Sequence, residues 1–335
     1  MHRQSSSSQL VDRYGRQIKY LRMSVTDRCD LRCIYCMSEN MTFVPRTQLL
    51  TIEELTRVGR AFIALGVNKI RITGGEPLTR RNILTLFQSL GKETGLDDLT
   101  LTTNATLLPR YAKALKSSGV CRINISLDTL DSERFHRITR VGHLEKTLAG
   151  IQAALEAGFE RVKLNAVVLK NRNHDEVLAL TEFAASHGMD ISFIEEMPLG
   201  VIEEHDRAEL YYSSDQILDD LQQKYELLPT TESTGGPSRY YRLTHSNTRV
   251  GFISPHSHNF CDQCNRVRLT AEGRLLLCLG QEHSVDLRRV LRAHPLDDEP
   301  LRQAIVEAMN LKPKGHDFDL SSQPVLLRHM NTTGG

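Results

Sequence analysis

Lys69-Ile70-Arg71-Ile72-Thr73 runs into Gly74-Gly75-Glu76-Pro77, and the alternation of apolar and polar residues before that turn decides how the fold is read. Successive side chains of a strand point to opposite faces, so Ile70 and Ile72 face a packed layer while Lys69, Arg71 and Thr73 face something wet. Residues 20–26, 99–104, 122–128, 161–167 and 190–195 repeat the pattern. Between them, residues 52–65, 82–90, 108–117, 144–157 and 176–187 space their apolar side chains as helices do. Strands alternating with helices imply βα units and a parallel sheet. Parallel strands covered on both faces usually read as continuous apolar runs. Here a polar set persists: Arg22, Ser24 and Thr26, then Arg122, Asn124, Ser126 and Asp128, then Arg161, Lys163 and Asn165. A full eight-stranded barrel fills its interior with branched apolar side chains. Six strands with a polar inner face instead suit an α/β fold, an incomplete (βα)6 TIM-type barrel whose lumen holds a polar ligand. The competing arrangement, a parallel sheet with one face in solvent, is rare.

Active sites of βα barrels gather on loops after the carboxyl ends of strands. The loop after the first strand carries Cys29-Asp30-Leu31-Arg32-Cys33-Ile34-Tyr35-Cys36. Soft thiolates suit iron–sulfur clusters and zinc. Three are one too few for a [4Fe–4S] cube and leave one iron open to a reactive ligand, whereas structural zinc is usually closed by four ligands. A second triplet, Cys261, Cys264 and Cys278, accompanies Asn265-Arg266-Val267-Arg268-Leu269. There His256, His258 or His283 could close a Cys3His zinc site, so zinc and a second cluster are equal readings. Arg266 and Arg268 lie two apart on a strand and face one way, either as a phosphate grip or as a solvated basic face. Cys121 opens an apolar strand and reads as a core residue.

The 335 residues are 40% hydrophobic and 25% charged, with Lys plus Arg at 42 against 41 acidic groups. That balance argues against nucleic acid and membrane surfaces as partners. The first residues lack the apolar core of a signal peptide, and no apolar run approaches the length of a membrane span. Seven cysteines, an odd number, argue against a secreted disulfide framework. A cytoplasmic location is expected. GxxxxGK[ST], GxGxxG and HExxH patterns are absent, which removes the usual nucleotide and zinc-hydrolase motifs. Residues 230–237, rich in Thr, Ser, Gly and Pro, read as a linker. The expected division is a flexible terminus over residues 1–13, a barrel over 14–230 and a smaller closing α+β segment over 231–335. Hairpin-like alternation at 239–253 and 266–279 suits an added sheet in that last segment.

Cys-x3-Cys-x2-Cys with an aromatic before the last cysteine resembles the signature loop of the radical S-adenosylmethionine enzymes. In them S-adenosylmethionine chelates the open iron, and one electron splits its sulfonium to give methionine and a 5′-deoxyadenosyl radical. Taken with the strand at 69–73, the Gly-Gly-Glu-Pro turn and Phe260-Cys261-x2-Cys264-Asn265-Arg266-Val267-Arg268-Leu269 plus Cys278, the chain resembles the GTP 3′,8-cyclases of molybdenum cofactor biosynthesis from about Tyr14 to Gly335. The resemblance implies two [4Fe–4S] clusters, on Cys29, Cys33 and Cys36 and on Cys261, Cys264 and Cys278. It implies that Tyr35, Gly75, Ser126 and Met197 contact S-adenosyl-L-methionine, although by itself Met197 reads as apolar packing. GTP would be gripped by Arg22, Lys69, Arg71, Thr102, Lys163, Arg266, Val267 and Arg268.

The implied reaction converts GTP to (8S)-3′,8-cyclo-7,8-dihydroguanosine 5′-triphosphate. An external electron donor and a cyclic pyranopterin monophosphate synthase that takes the product are implied partners. The oligomeric state is open, a homodimer being one expectation. Apart from the resemblance, Arg22, Lys69, Arg71 and Lys163 aimed into one lumen would repel strongly without an anion, and a triphosphate brings about four negative charges. One departure stands out: family members usually carry Arg before the Phe-Ile-Glu of strand six, and this chain has Ser192, which puts one triphosphate contact in doubt. Gly334-Gly335 resembles the family's double-glycine tail, thought to reach into the active site, whereas chain termini are ordinarily mobile. Two other functions compete. One is a radical S-adenosylmethionine maturase that modifies peptides, and the other a zinc-stapled binding protein without redox chemistry.

Overall fold

The computed structural model describes residues 9–202, 206–320 and 326–334. Strands β1 (Tyr20–Ser24), β2 (Lys69–Thr73), β3 (Asp98–Thr103), β4 (Arg122–Ser126), β5 (Arg161–Val168) and β6 (Asp190–Glu195) pair in parallel in chain order. Helices α1 (Ile52–Ala64), α2 (Ile83–Leu90), α3 (Leu108–Ser117), α4 (Ser132–Thr139), α5 (Leu144–Glu156) and α6 (Val177–Ser186) connect them. The apolar strand positions are buried as expected: Ile70, Ile72, Ile123 and Ile125 share one core with Leu55, Phe62 and Phe87 of the helices. α1 starts on a capping box, Glu54 N–H donating to Thr51 Oγ1 at 3.1 Å and Thr51 N–H to Glu54 Oε2 at 2.8 Å. The incomplete barrel holds.

The added sheet does not. After α7 (Arg207–Leu210) and α8 (Ser214–Gln222), β7 (Leu227–Thr230), β8 (Arg239–Leu243) and β9 (Arg249–Ile253) form an antiparallel meander whose β9 pairs in parallel with β6. At the other edge β10 (Arg266–Leu269) pairs in parallel with β1, followed by β11 (Arg274–Leu276) and β12 (Ser284–Asp286). The described strands thus form one open sheet, β12-β11-β10-β1-β2-β3-β4-β5-β6-β9-β8-β7. The physical reason is the pair of edges: an incomplete barrel leaves unpaired backbone groups on β1 and β6, and the later strands satisfy both. The stretch read as a linker accordingly ends β7 at Thr230 and makes up most of the connection to β8, residues 231–238. Helices α9 (Leu287–Ala293), α10 (Glu299–Ala308) and α11 (Met330–Thr333) complete the chain.

Residues 1–8 of the expected flexible terminus lie outside the described residues. Residues 9–13 are tied down: Leu10 is buried, its N–H donates to the Leu65 carbonyl at 3.2 Å, and Asp12 pairs with Arg16 at 2.6 Å. Among the described residues no helix is long and apolar enough to cross a membrane.

Candidate active site

The inner face of the sheet bounds a cavity of about 270 Å³ that opens to solvent. Cys29, Cys33, Cys36, Cys261, Cys264 and Cys278 are all free thiols on its wall. Topology sets the two triads apart. The first follows the carboxyl end of β1. The second lies beyond its amino end, because Arg266 pairs with Tyr20 at the start of β10 and β11 returns antiparallel toward Cys278.

Within the first triad the Cys36 N–H donates to the Cys33 carbonyl at 3.0 Å, a tight turn, and the Cys29 sulfur accepts from Leu31 N–H at 3.3 Å and Asn104 Nδ2 at 3.8 Å. Burial pushes all three thiols up, Cys36 to about 12, and a neighbouring sulfur of the triad adds to each shift. Such thiols ionise when a metal takes the place of their protons. In the second triad burial raises Cys261 and Cys278. It raises Cys264 too, but Arg266 and Lys312 outweigh it and draw that thiol down to about 7. Three soft donors per site fit an iron–sulfur cube with one open corner. Among the described residues no three His, Cys, Asp or Glu groups form a site for a single metal ion.

Of the three histidines proposed to close a zinc site, two are engaged elsewhere and one lines another cavity. His256 Nε2 bonds the Glu196 carbonyl at 2.8 Å, His258 Nε2 meets Asp215 at 2.7 Å, and His283 lines a different cavity. The histidine on the main wall is His316, whose buried Nε2 lacks a partner; sequence spacing from the cysteines gave no hint of it.

Cations fill the space between the triads. Arg22, Arg71, Lys163, Arg266 and Arg268 line the cavity, with Thr102 and the buried Val267. Arg71 donates from Nη1 to Thr102 Oγ1 at 3.3 Å, and its buried Nε has no partner. Lys69 is the exception among the expected GTP residues. It is off the cavity wall, paired with Asp98 at 3.0 Å and bonded to the Thr234 carbonyl, and Asp98 also pairs with Arg122. Asp190 likewise takes Arg249 at 2.5 Å and Arg161 at 3.9 Å. No carboxylate among the described residues pairs with Arg71, Lys163, Arg266 or Arg268. Burial pulls Arg22 down to about 10 and Arg268 well below its usual range, with neighbouring guanidiniums adding to both. The tail enters here: the Gly334 carbonyl accepts from Arg22 Nη2 at 3.0 Å and Arg268 Nη1 at 3.2 Å. Gly335 lies outside the described residues.

Tyr20, missed by the sequence reading, lies beneath these cations, with Lys69 Nζ 4.9 Å and the Arg71 guanidinium 5.8 Å from its ring centre. Burial alone would raise its hydroxyl, but Arg71, Arg22, Lys69 and Arg266 draw it from 10.0 to about 7. A folded-state pKa below the unfolded one means that ionised Tyr20 adds stability that is complete above about pH 10 and is lost as pH falls through about 7. Tyr20→Phe is therefore expected to lack the alkaline gain in stability shown by the parent, measured by urea unfolding from pH 7 to pH 10.

The residues expected around S-adenosylmethionine come together on the same wall. Tyr35 OH donates to Asp128 Oδ2 at 2.7 Å, and Ser126 sits in register beside Asn165, whose buried Oδ1 lacks a partner. Met197 is half-buried on the wall, and Glu76 is buried behind it, accepting from Thr103 Oγ1 and Asn104 N–H. Gly75 has a further reason to be glycine: a Cβ there would lie 2.4 Å from the Arg28 carbonyl oxygen and 2.7 Å from that of Asp27. Its turn is pressed against Asp27 and Arg28, in the loop that leads from β1 to Cys29. Gly75→Ala is expected to destabilise the protein by about 2–3 kcal/mol, since backbone cannot yield as a side chain would, and a thermal melt measures it. Cys121 is half-buried, its thiol directed to Asp98 Oδ1 at 3.1 Å, and is not on the wall.

Residues 23–184 match the family model of the Radical SAM superfamily, and residues 189–318 that of Molybdenum Cofactor Synthesis C. In fold the chain is similar to Streptococcus suis SuiB bound to S-adenosylmethionine, with a TM-score of 0.61 at 16% identity over 95% of this chain and 78% of that one. An open parallel barrel with a three-cysteine loop after its first strand is thus the scaffold of a radical S-adenosylmethionine enzyme, with a [4Fe–4S] cluster and S-adenosylmethionine as its cofactors. The chain is 57% identical to the GTP 3′,8-cyclase of Marinobacter nauticus, over 98% of its own length and 99% of that protein. It is 58% identical to GTP 3′,8-cyclase 1 of Pseudomonas aeruginosa, over 97% and 99%. The chain belongs to the GTP 3′,8-cyclase family.

Proposed function

We propose that the chain converts GTP to (8S)-3′,8-cyclo-7,8-dihydroguanosine 5′-triphosphate in the first step of molybdenum cofactor biosynthesis. One observation carries the reading: a single cavity has a cysteine triad at each end of β1 and, between them, Arg71, Lys163, Arg266 and Arg268, which have no carboxylate partner among the described residues. Cys29, Cys33 and Cys36 would hold the first cluster, with Tyr35, Gly75, Ser126, Met197 and Asn165 around S-adenosylmethionine. Cys261, Cys264 and Cys278 would hold a second [4Fe–4S] cluster. When bound, the first centre with S-adenosylmethionine supplies the radical that removes a ribose hydrogen. The protein's own part is charge and position. Arg22, Arg71, Lys163, Arg266 and Arg268 match a triphosphate of about four negative charges, and a guanidinium fork holds phosphate oxygens in two-bonded geometry. Small displacements at the reacting atoms are costly, so two arginines in register, Arg22 beside Arg268, favour one pose.

Lys69 would act at one remove, through Asp98. The chain reads as a barrel over about residues 14–230 and a closing part over 231–335 sharing its sheet. We infer also a cytoplasmic location, an external electron donor and a synthase that consumes the product, with a homodimer as the assembly to test. A peptide-modifying maturase has no use for this row of cations. Anaerobic incubation of the reconstituted protein with GTP, S-adenosylmethionine and a reductant tests the function; absence of cyclised nucleotide with both clusters intact would refute it.

Ser192 is fully buried and has its own partners. Its Oγ accepts from Lys163 Nζ at 3.2 Å and lies 3.1 Å from Ser238 Oγ, and Lys163 also donates to Tyr240 OH at 3.3 Å. Gly251 opens the adjoining space, since a Cβ there would stand 2.8 Å from the Tyr240 ring. The tyrosine occupies room a longer side chain would need. Ser192→Arg is accordingly expected to overpack, costing about 1–3 kcal/mol without tightening GTP binding, as read by a thermal melt and nucleotide titration.

A further inference from the structure

Lys312 is only 1% exposed. Its Nζ donates to the Leu277 carbonyl at 2.7 Å and the Arg266 carbonyl at 3.0 Å, and lies 3.7 Å from the Cys264 sulfur. Burying an ammonium is costly unless an opposite charge accompanies it. The two carbonyls satisfy two of its three donors but bring no net charge, and no described carboxylate pairs with it. The sulfur of Cys264 is the anion within reach.

The segment around Lys312 is locked over the second triad. Arg16, itself held by Asp12 at 2.6 Å, donates to the carbonyls of Cys261 at 2.8 Å, Pro313 at 2.6 Å and Lys314 at 2.7 Å. Gly315 lies against the triad closely enough that a Cβ would meet the Cys261 sulfur at 3.5 Å. The first triad is built otherwise, Cys29 receiving neutral donors from Leu31 and Asn104.

We propose that Lys312 is a positioning residue of the second metal centre, its fixed positive charge on Cys264 favouring cluster assembly and the reduced state of the cluster. This rests on the reading that the second triad holds a [4Fe–4S] cluster. Three thiolates on a core of charge +2 leave one net negative charge, and one-electron reduction makes it two. A cation at hydrogen-bond range stabilises the second state more than the first, and hydrogen bonds to sulfur are an established means of setting cluster potential.

The full-length chain with Cys29, Cys33 and Cys36 all replaced by alanine isolates the second centre. In that background Lys312→Gln, which keeps hydrogen-bond donors but drops the charge, Lys312→Met and Lys312→Arg are compared with the parent. Iron and sulfide analysis, an EPR-monitored redox titration and a circular-dichroism melt are the readouts. The expected result is a more negative midpoint potential, or loss of iron with cooperative melting retained, in the glutamine and methionine variants, and recovery in the arginine variant. An unchanged potential in Lys312→Gln overturns the proposal, and so does loss of cooperative melting in that variant, which would make Lys312 a brace only. A parent that binds zinc, or no iron, overturns the second-cluster reading and this proposal with it, a failure separable from that of Lys312 alone.

Discussion

Cys33→Ala is expected to lower formation of cyclised nucleotide by on the order of a thousand-fold or more, and to stop cleavage of S-adenosylmethionine with it. Cys33 lies in the middle of a half-buried loop whose turn joins its carbonyl to Cys36 N–H, and no described fourth thiol is at that end of the sheet to replace it. Cys264→Ala should behave differently. The second triad lies at the other end of β1, so the first centre and its S-adenosylmethionine stay in place. That variant should still release 5′-deoxyadenosine in the presence of GTP while forming little cyclised product. Iron analysis and chromatography of both products distinguish the two, each variant retaining about half the iron of the parent. Equal loss of both products in Cys264→Ala would mean that the triads are not functionally separate.

Arg71→Ala should weaken GTP binding about 10- to 100-fold, the scale of losing a hydrogen-bonded charge contact of roughly 1.5–3 kcal/mol. Below about pH 7, where Tyr20 is protonated, the same substitution should leave the ligand-free protein at least as stable as the parent. Arg71 is buried, bonds Thr102 through Nη1 only, keeps a bare Nε and faces like charges, so in the free protein it costs free energy that substrate recovers. A residue kept for structure would lose stability on removal, and one kept for an absent anion would not. The melting temperature with and without GTP measures both, because ligand stabilisation follows affinity. S-adenosylmethionine binding should be unaffected.

Period-two alternation located β2 and β6 to the residue, and it separated Ile70 and Ile72 in the core from Arg71 on the cavity wall. It could not show which strands become neighbours. The pairing of β1 with β10 joins segments far apart in the chain, and no local pattern encodes that. Helix α4, Ser132–Thr139, went unread because its sequence is mostly polar around Phe135 and Ile138. Lys69 shows the limit at the site: alternation placed it on the inner face, but only the register beside Asp98 reveals its carboxylate partner. Lys312 is the opposite case, a lysine followed by Pro313, Lys314 and Gly315 in which no local pattern announces burial until the fold encloses it. Charge on a face was readable; which charges are already neutralised was not.

The neighbour of β1 on its outer side also has a bearing on how the protein is made. On the ribosome β1 to β6 emerge with both outer edges bare, and β10, which covers the edge of β1, comes only some seventy residues after the end of β6. Non-local pairing of this kind is slow, and bare edges invite aggregation. Cys264 and Cys278 flank the strands that cap that edge, so metal loading at that end must wait until Cys278 has emerged, and overproduction that outpaces iron supply should yield insoluble material.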